Sequence, residues 1–180
     1  MTGSDRGSDS DPTERFKQVL LEILPQLRAF ARGLCGRRDY ADDLVQETMV
    51  KAWTSREKFV PGTSMRSWTF TILRNHYISE LRRSRRHREI DPETAERVLV
   101  APAEQEGRVH LSDMDAALQK LPPERREAVV LVGAGGFTYE EAAEICDCAI
   151  GTIRSRVARG RAELARLLAL ESDKESAGEG

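Results

Sequence analysis

The sequence predicts an all-α protein of two small helical domains joined by a flexible linker. Apolar residues recur at helical spacing over most of the chain, and no segment alternates as a strand would. Between the helical regions, a stretch rich in acids and prolines has few apolar residues. We therefore predict a disordered leader at 1–14, domains at 15–87 and 111–170, an acidic linker at 88–110 and a disordered tail at 171–180.

The first domain is predicted to contain three helices. The first covers residues 16–34 and includes Pro25, a residue type that can kink or break a helix. After a turn at Gly36, the second helix covers residues 40–53 and the third covers residues 66–85. Trp68 lies in the third helix among apolar neighbours, which favours a place in the core over stacking on a base.

The second domain is predicted to contain four helices. Ser112 is a suitable N-cap for the first, and the second covers residues 124–132. The glycine-rich stretch 133–136 is not a phosphate loop, because no strand precedes it and no lysine follows in the required place. We therefore expect it to end the helix and form a turn. Two further helices follow, one ending at Cys146 and the other covering residues 150–170.

Composition excludes several classes of protein. No apolar stretch approaches the roughly 20 residues that span a bilayer, and the Ser- and Asp-rich N-terminus lacks the apolar centre of a signal peptide. We therefore expect a cytoplasmic protein with no membrane contact. An odd number of cysteines argues against a disulfide framework, and the three cysteines and three histidines do not have the spacing of a zinc site. We expect no metal and no cofactor.

Charge is unevenly distributed along the chain. Residues 61–88 contain seven arginines and one acid, whereas residues 89–106 contain six acids and one arginine. A second basic stretch follows residue 153, after an acidic one. Two basic surfaces separated by an acidic connector fit a protein that contacts nucleic acid twice, although two solvated helix faces would give the same pattern.

The clearest local motif is a helix-turn-helix over residues 138–161. Thr138 and Glu141 form a capping box at the start of its first helix. The turn contains Asp147, a residue type that tolerates the left-handed conformation. If Ile153 and Val157 are buried, the side chains that project outward from the second helix are those of Arg154, Ser155, Ala158 and Arg159. Arg156 and Arg161 are better placed for phosphates. A helical hairpin with a solvated basic face is the alternative.

A polar face is predicted on the second helix of the first domain. Asp43, Gln46 and Glu47 lie at positions i, i+3 and i+4, and Asp42 borders them. An acidic stripe opposite an apolar one suits a basic partner helix. A solvated face and a carboxylate site for catalysis or a metal are the alternatives.

Several segments together resemble the extracytoplasmic-function (ECF) sigma factors. Residues 40–53 (YADDLVQETMVKAW), 59–68 (FVPGTSMRSW) and 72–75 (ILRN) resemble region two of that family, and the second domain resembles region four. Residues 34–36 (LCG), 131–134 (LVGA) and 139–146 (YEEAAEIC) resemble its EcfG subgroup of general-stress factors.

The resemblance implies functional residues at matching positions. The family binds the polymerase β′ coiled coil through the face formed here by Asp42, Asp43, Leu44, Gln46 and Glu47. Contacts to the minus-ten element, including a flipped base, are implied for Ser64, Met65, Arg66, Arg74, Asn75, Arg82 and Arg83. Contacts to the minus-thirty-five duplex are implied for Thr152, Arg154, Ser155, Arg156, Ala158, Arg159 and Arg161.

The resemblance also implies a set of partners. These are core RNA polymerase, bound at its β′ coiled coil and its β flap, promoter DNA, and an anti-sigma factor of the NepR type. It implies no enzymatic activity. Two other classes of protein stay open from the residues themselves: a stand-alone helix-turn-helix regulator, and a small nuclease with Asp42, Asp43 and Glu47 around a metal ion.

Overall fold

The computed structural model describes residues 11–90 and 113–178 and confirms the all-α prediction over those ranges, which contain no strand. Seven α-helices and one short 3-10 helix, Arg56–Lys58, are present there. The α-helices are α1 Pro12–Cys35, α2 Arg38–Thr54, α3 Met65–Ile90, α4 Asp113–Lys120, α5 Pro123–Gly133, α6 Tyr139–Cys146 and α7 Ile150–Gly178.

Helix α1 starts earlier than predicted and is continuous. Asp11 caps its first turn by accepting a hydrogen bond from the Thr13 amide at 3.1 Å, so part of the predicted leader is helical. Pro25 lies inside the helix without ending it. Gly36 ends α1 in the left-handed conformation, with a φ of 68°, as expected for a glycine at this position.

Helices α1, α2 and α3 pack together around one apolar centre. Leu27, Phe30 and Leu73 are almost fully buried there, and the rings of Phe30 and Phe70 lie 5.1 Å apart. Trp68 is half-buried in an aromatic cluster at the end of this unit, 5.5 Å from the ring of Phe59. It packs against the edge of the core rather than inside it.

Helices α4 to α7 form the second unit, in which α7 crosses close to α5. At Gly160 an added Cβ would lie 2.5 Å from a methyl group of Val129, so only glycine allows this separation. Ile153 and Val157 on α7 are buried against the preceding helices. This packing fixes which side of α7 faces solvent.

The two units pack against each other in a single continuous core, which the sequence did not predict. Helices α4 and α5 pack against α1, and α6 packs against α3. The rings of Phe70 and Phe137 lie 4.7 Å apart, edge to face, across this boundary.

Several predictions concern residues outside the described ranges. They are residues 1–10 of the leader, the Ser112 cap and residues 91–110 of the linker. Helix α7 continues to Gly178, into the predicted tail. No helix in the described part of the chain is long and apolar enough to cross a membrane.

Candidate nucleic-acid interface

Helix α2 has the polar face that was predicted from its spacing. Asp43, Gln46 and Glu47 are exposed, and Asp42 is half-buried beside them. Leu44 was predicted to belong to this surface, and that prediction is wrong: its side chain is only 2% exposed because this side of α2 packs in the core. The surface available to a partner is therefore mainly acidic, with the exposed side chain of Val50 one turn further along α2.

His76 on α3 reaches the end of this polar face. Its Nε2 atom lies 2.8 Å from Glu47 Oε2, and Lys51 contacts both its Nδ1 atom and the Glu47 carboxylate. Lysine can only donate, so the partners assign the ring a proton on Nε2 and an acceptor at Nδ1. No role for His76 was predicted from the sequence, because its partners lie on another helix.

The loop before α3 is built around Gly62 and Ser64. Gly62 has a φ of 90°, which favours glycine, and Thr63 Oγ1 donates to the Val60 carbonyl at 2.7 Å. The Ser64 hydroxyl accepts from the Ser67 amide at 3.1 Å and so satisfies a free donor at the start of α3. Ser64 is exposed, whereas Met65 is buried in the core. The predicted DNA contact by the Met65 side chain is therefore wrong for this conformation.

The predicted minus-ten arginines divide into two groups. Arg82 and Arg83 are exposed on α3, as is Asn75, and Arg83 also contacts Glu80 at 3.3 Å. Arg66 and Arg74 instead point toward the second unit and bond to residues of it. The structure thus leaves one part of the predicted DNA surface open and covers the other part.

The helix-turn-helix has the predicted geometry. Thr138 accepts a hydrogen bond from the Glu141 amide at 3.1 Å, and the Glu141 carboxylate accepts one from the Thr138 amide at 2.9 Å, which confirms the capping box. Asp147 adopts the left-handed conformation, with a φ of 50°, as expected for this residue type. The turn therefore forms with Asp in the place where glycine is common.

Helix α7 presents a basic face near its start. Arg154, Ser155, Ala158, Arg159 and Arg161 are exposed, and Thr152 and Arg156 are half-buried. Within this set, Arg154 lies 3.9 Å from Glu140 and 5.8 Å from the ring of Tyr139, which holds its guanidinium above the first helix of the motif. An exposed basic face at the start of the second helix is what a major-groove reader requires.

The cysteines are free thiols within the core or at its edge. Burial raises the pKa of Cys35 to about 12 and that of Cys146 to about 12, and the Glu127 carboxylate adds to the second shift. Both thiols are therefore protonated at neutral pH and poor nucleophiles. Among the described residues, no three His, Cys, Asp or Glu side chains converge as metal ligands would, and this includes the carboxylates of α2.

Comparison with known sequences matches both units of the chain. The family model described as Sigma-70 region 2 matches residues 20–87, and the one described as Sigma-70, region 4 matches residues 111–164. The chain is 46% identical over 156 residues to the ECF RNA polymerase sigma factor EcfG of Rhodopseudomonas palustris, which covers 87% of this chain and 86% of that protein.

Comparison with solved structures finds the same arrangement. The sigma factor RpoE of Bartonella quintana, solved in complex with the anti-sigma factor NepR, matches with a TM-score of 0.74 and 46% identity over 87% of this chain and 98% of that one. CnrH, solved in complex with the cytosolic domain of CnrY, matches with a TM-score of 0.64 and 28% identity over 87% and 89% of the two chains.

Proposed function

The chain belongs to the ECF family of RNA polymerase sigma factors, and we propose from this premise which of its surfaces meet polymerase, promoter DNA and an inhibitory partner. As a member of this family, it associates with core polymerase and directs it to promoters. It is a transcription regulator. We propose that it has no catalytic activity of its own and that it acts in the cytoplasm, with polymerase and DNA.

The polar face of α2 is the proposed polymerase contact. Asp43, Gln46 and Glu47 are exposed on a rigid helix whose opposite side is fixed in the core. Carboxylates and an amide in this arrangement offer acceptors to the basic side chains of a coiled coil. Because the backbone of α2 is already ordered, docking costs little conformational entropy beyond that of the side chains. This exposed face is the observation that best supports the proposal.

Two separate surfaces are proposed for DNA. Ser64, Asn75, Arg82 and Arg83 form the open part of the minus-ten surface on the first unit. The exposed start of α7 is the proposed minus-thirty-five surface, in which Arg154 would read a base edge and Arg161 would bind phosphate. A protein that reads two elements at once gains affinity because the second contact becomes intramolecular.

We further propose a role in general stress and control by an anti-sigma factor of the NepR type. Support comes from the 46% identity to EcfG of R. palustris and the equal identity to B. quintana RpoE, which was crystallised with NepR. The described part of this chain has the fold of that complexed sigma factor at a TM-score of 0.74. A helical partner that covers the polar face of α2 would block polymerase directly.

Run-off transcription tests the proposed function. Core polymerase, the full chain and a pool of promoter fragments should yield discrete transcripts that are missing when the chain is omitted. If the chain instead binds a duplex site alone, as a dimer, and adds no transcript with core polymerase, it is a stand-alone regulator.

A further inference from the structure

Arg74 of the first unit forms an ion pair with Glu127 of the second. Arg74 Nε lies 2.6 Å from Glu127 Oε1, and the two side chains are only 14% and 8% exposed. Burial by itself lowers the pKa of Arg74, but the Glu127 carboxylate outweighs it and leaves that pKa raised. In DNA-binding proteins, arginine binds phosphate through the same kind of charge-assisted hydrogen bond that Arg74 donates to this carboxylate. Glu127 therefore offers Arg74 the same kind of anionic acceptor that a DNA phosphate would offer.

Arg66 is held by the same unit, two helical turns earlier on α3. It donates to the Gly135 carbonyl and, at 2.6 Å, to Gln26. Its guanidinium carbon lies 3.9 Å from the ring centre of Phe137. A carbonyl oxygen and an aromatic face are also what an unstacked DNA base offers to an arginine. The loop between α5 and α6 thus supplies Arg66 with substitutes for a base.

The same boundary is held elsewhere by groups far from the DNA surface. Gln119 Nε2 donates to the Gly33 carbonyl at 3.0 Å, and Arg126 donates to the Leu34 carbonyl at 2.8 Å. These carbonyls belong to the last turn of α1, where they have no partner within the helix and where a cation is favoured. Gly33 allows α5 to approach, since an added Cβ would lie 2.9 Å from Val130 Cγ1.

We infer that the second unit is an intramolecular competitor of promoter DNA, with Glu127 and the Gly135–Phe137 segment seated on the arginines that would otherwise bind the minus-ten strand. The inference rests on the proposed function, and within it on the minus-ten contacts that the family resemblance implies for Arg66 and Arg74. In this closed arrangement, defined by the contacts of those two arginines with the second unit, neither guanidinium is free for DNA.

Closure does not cover the polymerase-binding face. Asp43, Gln46 and Glu47 stay exposed in the closed arrangement, so the chain can dock on polymerase while Arg66 and Arg74 are still covered. The apparent DNA affinity of the free chain is then the affinity of the open form multiplied by the fraction of molecules that are open. A free factor of this kind has reduced non-specific binding to DNA. Arg66 and Arg74 become available to DNA only after the two units separate.

Two variants open the boundary without touching a proposed DNA or polymerase residue. Glu127→Gln removes the charge that neutralises Arg74, and its control is Glu124→Gln, an exposed position on the same helix with the same change in net charge. Gly33→Ala places a methyl group against the stiff side chain of Val130, and its control is Gly133→Ala, where an added Cβ meets nothing within 4 Å. Alanine is also the better helix former at position 33, so loss of α1 is not expected.

The full-length variants are compared for their affinity for a fluorescent single-stranded oligonucleotide of mixed sequence, with circular dichroism to verify folding. Glu127→Gln and Gly33→Ala should each bind about tenfold more tightly than the parent, as expected if the closed form is the major one. Both controls should match the parent or, for Glu124→Gln, show only the small gain due to net charge. X-ray scattering should give a larger radius of gyration for the two opening variants.

Two results would overturn the inference. One is an equal gain for Glu127→Gln and Glu124→Gln, which reports net charge alone. The other is a folded, expanded Gly33→Ala protein with unchanged affinity. Should Glu127→Gln fail to fold, Gly33→Ala carries the test. Run-off transcription by the parent chain in the same preparation distinguishes failure of this inference from failure of the proposed function. Transcripts without the affinity gains of the variants overturn the closed arrangement only. A lack of transcripts overturns the proposed function.

Discussion

His76 and Glu47 are joined across two helices by a contact of 2.8 Å between Nε2 and Oε2. The imidazole side chain is only 11% exposed, whereas the carboxylate is 60% exposed. A buried group thus orients an exposed one, and Lys51 completes the arrangement from the next turn of α2. The ring thus contacts the glutamate at the edge of the proposed polymerase contact before any partner arrives.

Replacing Gln46 and Glu47 together with Ala should weaken binding to core polymerase by about 2 kcal/mol, the loss typical of important interface residues. The matched control is Gln18→Ala with Glu22→Ala, an exposed amide and acid on α1. Affinity is measured by titration of labelled chain with core, and helical content by circular dichroism. Equal affinity of both double variants would mean that the α2 face is merely solvated.

His76→Phe should also weaken polymerase binding, but only while Glu47 is present, because His76 acts through that carboxylate. A double-mutant cycle with Glu47→Ala should give a coupling of about 0.5–2 kcal/mol. His76→Gln should recover part of the loss, since its amide can donate to the carboxylate. Additive losses would show that the two residues act independently.

Arg154→Ala should cost about 1–3 kcal/mol of binding to a minus-thirty-five duplex and relax preference at one base pair. Arg161→Ala should weaken binding to every sequence by a similar factor, as removal of a phosphate contact does. Both are measured by competition among duplexes that differ at single positions. Uniform loss for Arg154→Ala would place that guanidinium on the backbone instead.

Gly160→Ala should lower the free energy of unfolding by about 1–3 kcal/mol, the usual cost of overpacking. The added Cβ meets Val129 at 2.5 Å and the Arg125 carbonyl at 3.3 Å. The control is Gly151→Ala on the same helix, where space is open and alanine should add about 0.5 kcal/mol. Thermal unfolding distinguishes the two. A neutral Gly160→Ala would mean that α5 and α7 can separate at no cost.

Stability should decline as the pH rises from about 9 to 12. Burial, together with Glu127, raises the pKa of Cys146 from 9.0 to about 12 in the folded state. The folded protein therefore holds the thiol proton more tightly than the unfolded chain does, and this contribution is complete below about pH 9 and is lost progressively as the pH rises to about 12. At pH 8, alkylation followed by mass spectrometry should modify the half-buried Cys148 before Cys146, and denaturant should equalise them. Equally fast alkylation of both in the folded chain would contradict the burial of Cys146.

Local features were predictable because they depend on neighbours within a few residues. The capping box of Thr138 and Glu141, the turn at Asp147 and the buried pair Ile153 and Val157 followed from spacing alone, and the structure confirms them. The same periodicity predicted which residues of α2 share a polar face. The family resemblance, not the periodicity, failed for Leu44 and Met65, because it assigned them to a contact surface whereas packing buries them. The proposed domain boundaries and DNA contacts stay predictions.

Tertiary structure alone decided how the two units meet. Arg74 and Glu127 are 53 positions apart, and Arg66 and Gly135 are 69 apart. No helical period links such residues, and each pair depends on how several helices pack at once. Periodicity identifies which face of a helix is apolar, but it cannot say which other helix will cover that face. The sequence therefore determined the helices and the residue types that they offer to DNA and polymerase, whereas the fold determined which of the arginines are free.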